Sequence, residues 1–289
     1  MRQPSLFISH GAPDIAIADM PATAFLRGLF ARLARPRAIL VASAHFEAEG
    51  EVLVSADAAP ATIRDFGGFD RRLYEIEYPA PGDPALAGEI VARLGMAGLP
   101  ARLAADRGFD HGTWVPLHLM RPQADVPVVQ VSVDPSAGPE HHHRLGAALR
   151  ALRDEDVLVI GSGAFTHDLR AAFVNVRSGR RDAEVPAFVD AFADWMSERI
   201  LAGDRAALLD YRSLAPFAVQ NHPSDEHLMP LFVALGAADS SEAVQLLHSS
   251  RDYGAIGMEA FAFGLDEAAN ALATEVETLR HLPRVGSFA

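Results

Sequence analysis

Ser5-Leu6-Phe7-Ile8-Ser9-His10-Gly11 opens the chain with an apolar run that stops at a histidine and a glycine. A short run without polar alternation, closed by turn-favouring residues, reads as a strand buried on both faces. The construction returns twice. Ala38-Ile39-Leu40-Val41-Ala42-Ser43-Ala44 leads to His45, and Val157-Leu158-Val159-Ile160 passes a Gly161-Ser162-Gly163 loop to reach His167. Further strands are predicted over residues 52–54, 126–133, 244–247 and 259–263.

Between them lie helical patterns over residues 22–34, 84–97, 140–152, 185–201, 226–235 and 266–279, the second opened by Asp83-Pro84 as N-cap and first-turn proline. Strands alternating with helices predict an α/β fold in a single domain, with a central, mostly parallel or mixed sheet flanked by helices. The expected organisation is a catalytic domain over residues 1–264 and a helical tail over 265–289 packed on the same domain. Ligands of such sheets gather beyond the carboxyl ends of the strands, so residues that follow strands are the candidates for chemistry.

Composition narrows that chemistry. The 289 residues, 49% of them hydrophobic, suffice for a sizeable core, and no linker, repeat or low-complexity block divides them. A net charge of -13 disfavours nucleic acid and anionic membrane surfaces as partners. No apolar run approaches the ~20 residues of a membrane span, and Met1-Arg2-Gln3-Pro4 does not read as a signal peptide, so a cytoplasmic protein is expected. There is no Cys, which removes disulfides, thiolate nucleophiles and iron–sulfur clusters. All 25 basic residues are Arg; without Lys there is neither a phosphate-binding P-loop nor Schiff-base catalysis. His, Asp, Glu, Tyr, Ser and a metal remain.

The histidines fit a metal. His10, His45 and His167 follow predicted strands; His227 stands in Asn221-His222-Pro223-Ser224-Asp225-Glu226-His227 at a predicted helix start; His111 lies in the Gly108-Phe109-Asp110-His111-Gly112 loop. Neutral imidazole is the commonest protein metal ligand, and ligands from separate strand ends are held rigidly by the sheet. Zn(II) and Fe(II) both accept such nitrogens while leaving positions open for substrate. A single loop histidine is ordinarily a surface or core residue; the joint pattern is what points to a divalent metal. It does not name the reaction. His141-His142-His143 reads as a solvated helix face and His118 as a core residue or one backing a site, while His248 and His281 have no informative context.

Longer motifs surround these histidines: Leu6 to Pro13 (LFISHGAP), Val41 to Phe46 (VASAHF), Ile63 to Phe69 (IRDFGGF), Tyr78 to Gly82 (YPAPG), Gly108 to Trp114 (GFDHGTW), Gln130 to Asp134 (QVSVD), Gly161-Ser162-Gly163 with His167-Asp168-Leu169, and Glu226 to Leu231 (EHLMPL). In these segments, in this order and up to about Gly264, the chain resembles the class III extradiol ring-cleavage dioxygenases, in their 4,5-DOPA dioxygenase branch. The resemblance implies a metal held by His10, His45 and His227, with His167 at the open face as acid/base or further ligand and His111 facing the substrate. It implies Fe(II) as the working metal, with Zn(II) able to replace it on purification, and a catecholic, DOPA-like substrate cleaved with O2. Protocatechuate-cleaving relatives carry Glu at the third ligand position; here it is His227, with Glu226 beside it as a rival. Phe46, Ala164, Asp168 and Asp225 depart from the Trp, Asn, Asn and Pro common in relatives, which bears on substrate identity. Arg64 or Arg107 is a candidate for a substrate carboxylate. A homodimer is plausible on this reading. The alternatives are a metal-binding interaction module of the same fold and a zinc-dependent hydrolase with Glu226 as base.

Overall fold

The structure is a computed structural model that describes residues 2–266. The expected C-terminal tail, residues 265 and 266 apart, therefore lies outside the described residues, as does His281. Among the described residues the strands are β1 (Ser5–Ser9), β2 (Ala38–Glu47), β3 (Val52–Ser55), β4 (Ala101–Ala104), β5 (Val128–Val133), β6 (Val157–Gly163), β7 (Thr166–His167), β8 (Val244–His248), β9 (Arg251–Asp252), β10 (Ile256–Gly257) and β11 (Ala260–Phe263). The α-helices are α1 (Pro21–Leu29), α2 (Pro84–Met96), α3 (His111–Met120), α4 (Pro139–Leu149), α5 (Leu169–Arg177), α6 (Ala187–Leu201), α7 (Arg205–Leu209), α8 (Tyr211–Leu214), α9 (Ala218–Asn221) and α10 (Met229–Ala237).

One sheet runs β4-β3-β5-β2-β6-β1-β11-β8. Its centre, β5-β2-β6-β1, is parallel, while β11 and the β3/β4 pair join antiparallel to their neighbours at the two sides. The carboxyl ends of the four central strands thus share one edge, as the alternating sequence pattern predicts. Successive residues point to opposite layers: Leu6, Ile8, Ile39, Val41, Leu158 and Ile160 pack with α1 and α3, whereas Phe7, Leu40, Ala42, Val157 and Val159 pack toward α2, α4, α6 and α10. Each such Leu, Ile, Val or Phe side chain contributes roughly 1.5–3 kcal/mol on burial, so the site edge is carried by buried strands packed on both faces. Among the described residues no helix is long and apolar enough to cross a membrane.

Three local departures from the sequence expectation position the site. β2 does not stop before His45 but continues to Glu47, and between Ser43 and Glu47 its ladder with β5 slips: Ser43 faces Ser132 and Glu47 faces Val133. The residues between are released from pairing as in a bulge, which re-aims a side chain. Gly161-Ser162-Gly163 is not a loop but the buried end of β6. His227 does not start a helix; it precedes α10, which begins at Met229.

His142 corrects the reading of residues 141–143 as a solvated face. Its ring is fully buried, the Asp134 amide donates to Nε2 at 3.0 Å, and Nδ1 donates to the Gly138 carbonyl at 2.9 Å. α4 starts at Pro139, which turns position 142 under the β5–α4 connection. Burial holds this ring at about 4, and does the same for His222, whose Nε2 meets the Phe165 carbonyl at 3.0 Å. Folded values below the unfolded ~6.5 mean that the unfolded chain protonates first, so stability falls as pH drops from about 6.5 to about 4. Each ring is expected to contribute about 1.4 kcal/mol per pH unit in that window. Urea melts of metal-free protein at several pH values should show the slope lessened by about one proton in His142→Asn; an unchanged slope would contradict the assignment.

Candidate metal centre

The chain leaves β1 at His10, and Gly11, at φ +62, turns it sharply away. The His10 amide donates to the Gly163 carbonyl at 2.9 Å, and the Ala164 amide donates to the His227 carbonyl at 2.8 Å. This close approach requires glycine at 163, because a Cβ there would collide with the His227 carbonyl. His10 and His227 are thereby brought to the end of β6, and the slipped segment of β2 adds His45. His45 Nε2 lies 3.1 Å from His10 Nε2 and 3.2 Å from His227 Nε2.

The opposite ring nitrogens fix the tautomers. Ser162 Oγ donates to the Gly112 carbonyl, so its free lone pair accepts from His10 Nδ1 at 3.1 Å. His227 Nδ1 donates to Glu226 Oε1 at 2.9 Å. Asp65 Oδ2 stands 3.9 Å from His45 Nδ1. With Nδ1 carrying the proton in His10 and His227, their Nε2 lone pairs face His45 in a buried space. Burial, and then the neighbouring imidazoles, push His10 and His227 well below the usual histidine value; burial and His111 take His45 to about 3. Opposed lone pairs repel one another, and a divalent cation is the partner that relieves them. Nitrogens ~2.1 Å from one ion and at right angles lie about 3.0 Å apart, close to the spacings found. His10, His45 and His227 form a group able to hold a metal.

Two more predicted residues join them. His167, on β7, stacks flat on His227 with ring centroids 3.5 Å apart and planes 14° apart. Among the described residues no hydrogen bond ties either of its ring nitrogens, and burial followed by His222 and His111 lowers it to about 3. His111 is not in a loop. It is the first residue of α3, whose N-cap Asp110 accepts from the Thr113 amide at 3.0 Å and from Ser43 Oγ at 2.6 Å. Its ring centroid lies 3.9 Å from that of His45. Asp65 Oδ1 accepts from the His111 amide at 3.0 Å and sits 3.0 Å from Nδ1, without the alignment of a ring hydrogen bond. Burial alone would raise the Asp65 carboxyl; His111 more than offsets this and holds it at about 2.

Other expectations change. Glu226 is turned to His227 Nδ1 and orients that ring, although it also lies within reach of His167. Loss of such an outer partner typically weakens metal binding roughly 10- to 100-fold, so Glu226→Ala is expected to lower affinity by that factor in a competitive chelator titration. Neither arginine is available to a carboxylate. Arg64 donates to the Thr62 and Ile76 carbonyls and to Glu77. Arg107 donates to the His45 carbonyl at 3.0 Å and to Asp110 at 2.5 Å, and lies over the Phe46 ring. His118 is half-buried on α3, and His248 stacks on Phe25 and meets Ser250 Oγ at 2.8 Å. Sequence reasoning gave no role to Ser162, which orients the His10 ring, to Asp65, which accepts from the His111 amide beside two of the rings, or to the apolar residues that wall the site. The five histidines open on a cavity of about 290 Å³ bounded by Phe66, Phe69 and one face of α5.

Residues 7–263 match the family model described as the catalytic LigB subunit of aromatic ring-opening dioxygenase. A "4,5-DOPA dioxygenase extradiol" of Beta vulgaris is 40% identical over 265 residues, covering 90% of this chain and 96% of that protein. A protein of the same description from Escherichia coli K12 is 35% identical over 267 residues, covering 91% and 95%. The crystal structure of an uncharacterized protein from Escherichia coli K12 superposes with a TM-score of 0.74 at 30% identity, covering 91% of this chain and 100% of that one.

Proposed function

The chain belongs to the LigB family of extradiol aromatic ring-opening dioxygenases, and from that premise we propose that His10, His45 and His227 hold one Fe(II) at which a catechol is opened with O2. The observation that carries the reading is the convergence of the three Nε2 atoms, two of them lone-pair donors by the bonds at their far nitrogens. Held by His10, His45 and His227, Fe(II) would supply a Lewis acid for the diol and a redox partner for O2.

The chain's own residues do the rest. His167 lines the same cavity with an untied ring nitrogen beside the three imidazoles, so it is placed to take the proton of a substrate hydroxyl and return it later in the cycle. The stack on His227 holds its ring plane in place. His111, anchored at the start of α3 and beside Asp65, presents its imidazole to the same space and orients the bound diol. Phe66, Phe69 and α5 keep bulk water from the reacting groups. The family match over 7–263 supports a catalytic unit of residues 1–264. Zn(II), the stronger competitor for nitrogen donors, would occupy the same imidazoles without supporting turnover.

Anaerobic reconstitution with Fe(II), followed by air and catechol, L-DOPA or protocatechuate, is expected to give O2 uptake and a yellow product with at least one of them. Chelator should abolish the uptake and Zn(II) should not support it. Stoichiometric metal without uptake on any catechol would overturn the reading.

A further inference from the structure

We propose that the cavity selects catechols whose ring substituent is a short alkyl group over those carrying a carboxylate or an amino-acid head; this rests on the catechol-cleaving reading above. Leu169, Ala172, Phe173 and Val176 recur at i, i+3, i+4 and i+7 along α5 and line the cavity together as one helix face. Phe66 and Phe69 line it from the loop after β3. Leu169 and Phe173 are 54% and 57% exposed although they line the cavity, so its mouth carries apolar surface that nothing in the described residues covers. At about 290 Å³ the space is near the lower end of ligand pockets and suits one ring with a short substituent.

Among the described residues no counter-charge stands on this wall. Among the described residues the polar side chains lining the cavity are the imidazoles of the site, and no arginine lines it. Arg64 and Arg107 are held as described, and Arg181 is bound to Asp14 and, at 2.8 Å, to Asp252. Arg177, one turn beyond Phe173, lies over the Phe173 ring at 5.7 Å and does not line the cavity. A carboxylate seated on the buried part of this wall, beside Ala172, would lose water without gaining a lining cation among the described residues, and the net charge of -13 adds long-range repulsion.

The test is anaerobic calorimetry of the Fe(II)-loaded protein with catechol, 4-butylcatechol, 3-(3,4-dihydroxyphenyl)propionate and L-DOPA, followed by kcat/KM for each in air. A buried methylene is worth about fourfold in affinity, so a butyl chain burying two or three carbons should bind on the order of 30-fold tighter than catechol. The propionate, matched in length, should bind about tenfold weaker than catechol. Val176→Arg, which sets a guanidinium on the lining face, should narrow or reverse the order of the matched pair. Tighter or equal binding of the propionate or L-DOPA by the unaltered protein would overturn the proposal. The retained binding order with no O2 uptake on any compound would remove the dioxygenase reading and leave the cavity's preference standing.

Discussion

His45→Ala is expected to purify folded but without stoichiometric iron, and to lose turnover by on the order of 1,000-fold or more, beyond the roughly 10- to 100-fold typical of outer partners. His45 Nε2 is the donor within 3.2 Å of both other imidazoles, so its removal leaves only two nitrogens of the group. Folding should survive because the ring is half-buried and sits on a segment of β2 already released from the β5 ladder. Metal analysis, a thermal melt and O2 uptake on one preparation separate the possibilities. Full iron content with full activity would remove His45 from the centre; an unfolded protein would call for His45→Gln, which keeps bulk at the position.

His167→Ala is expected to behave differently. Iron should remain near stoichiometric, because His10, His45 and His227 are intact, while turnover falls by roughly 100- to 10,000-fold, the range of a general acid/base. The ring's flat stack on His227 and its untied nitrogens suit a group that moves a proton rather than one locked by a bond to protein. Its place beside the three imidazoles, with no bond to its ring nitrogens among the described residues, is what suits it to accept a proton in the proposed cycle. Loss of iron together with activity would instead make His167 a fourth ligand, in keeping with its place beside Glu226 and His227. Undiminished activity would sink both roles.

How far the sequence reads through to the site differs from residue to residue. His10 was legible because an apolar run ends at it, and the central parallel strands followed from the same runs. His45 was identified as a candidate, but the slip that exposes it depends on β5, a partner far along the chain. The same holds for Ser162, which reads as loop between two glycines yet is the buried acceptor for His10 Nδ1. Asp65 stood in the Ile63 to Phe69 motif without a role, since its partner His111 is brought near by the packing of α3. Arg64 and Arg107 were read as candidates for a substrate carboxylate because sequence cannot reveal the carbonyls and carboxylates that hold them. His142 failed in the opposite direction: a run of three histidines looks solvated until the start of α4 fixes which one turns inward. α5 was missed: no helix was predicted over residues 169–177, although Leu169, Ala172, Phe173 and Val176 stand at helical intervals, and only the fold puts them over the imidazoles.

The most direct measurement is mass analysis of the product that Fe(II)-loaded protein forms from a catechol it turns over, under heavy-isotope O2 with rapid quenching. The expected product has an opened ring and carries both oxygen atoms of one labelled O2, and none forms in His45→Ala. A product with its ring intact, or with one labelled atom or none, would contradict ring-opening dioxygenation at this centre.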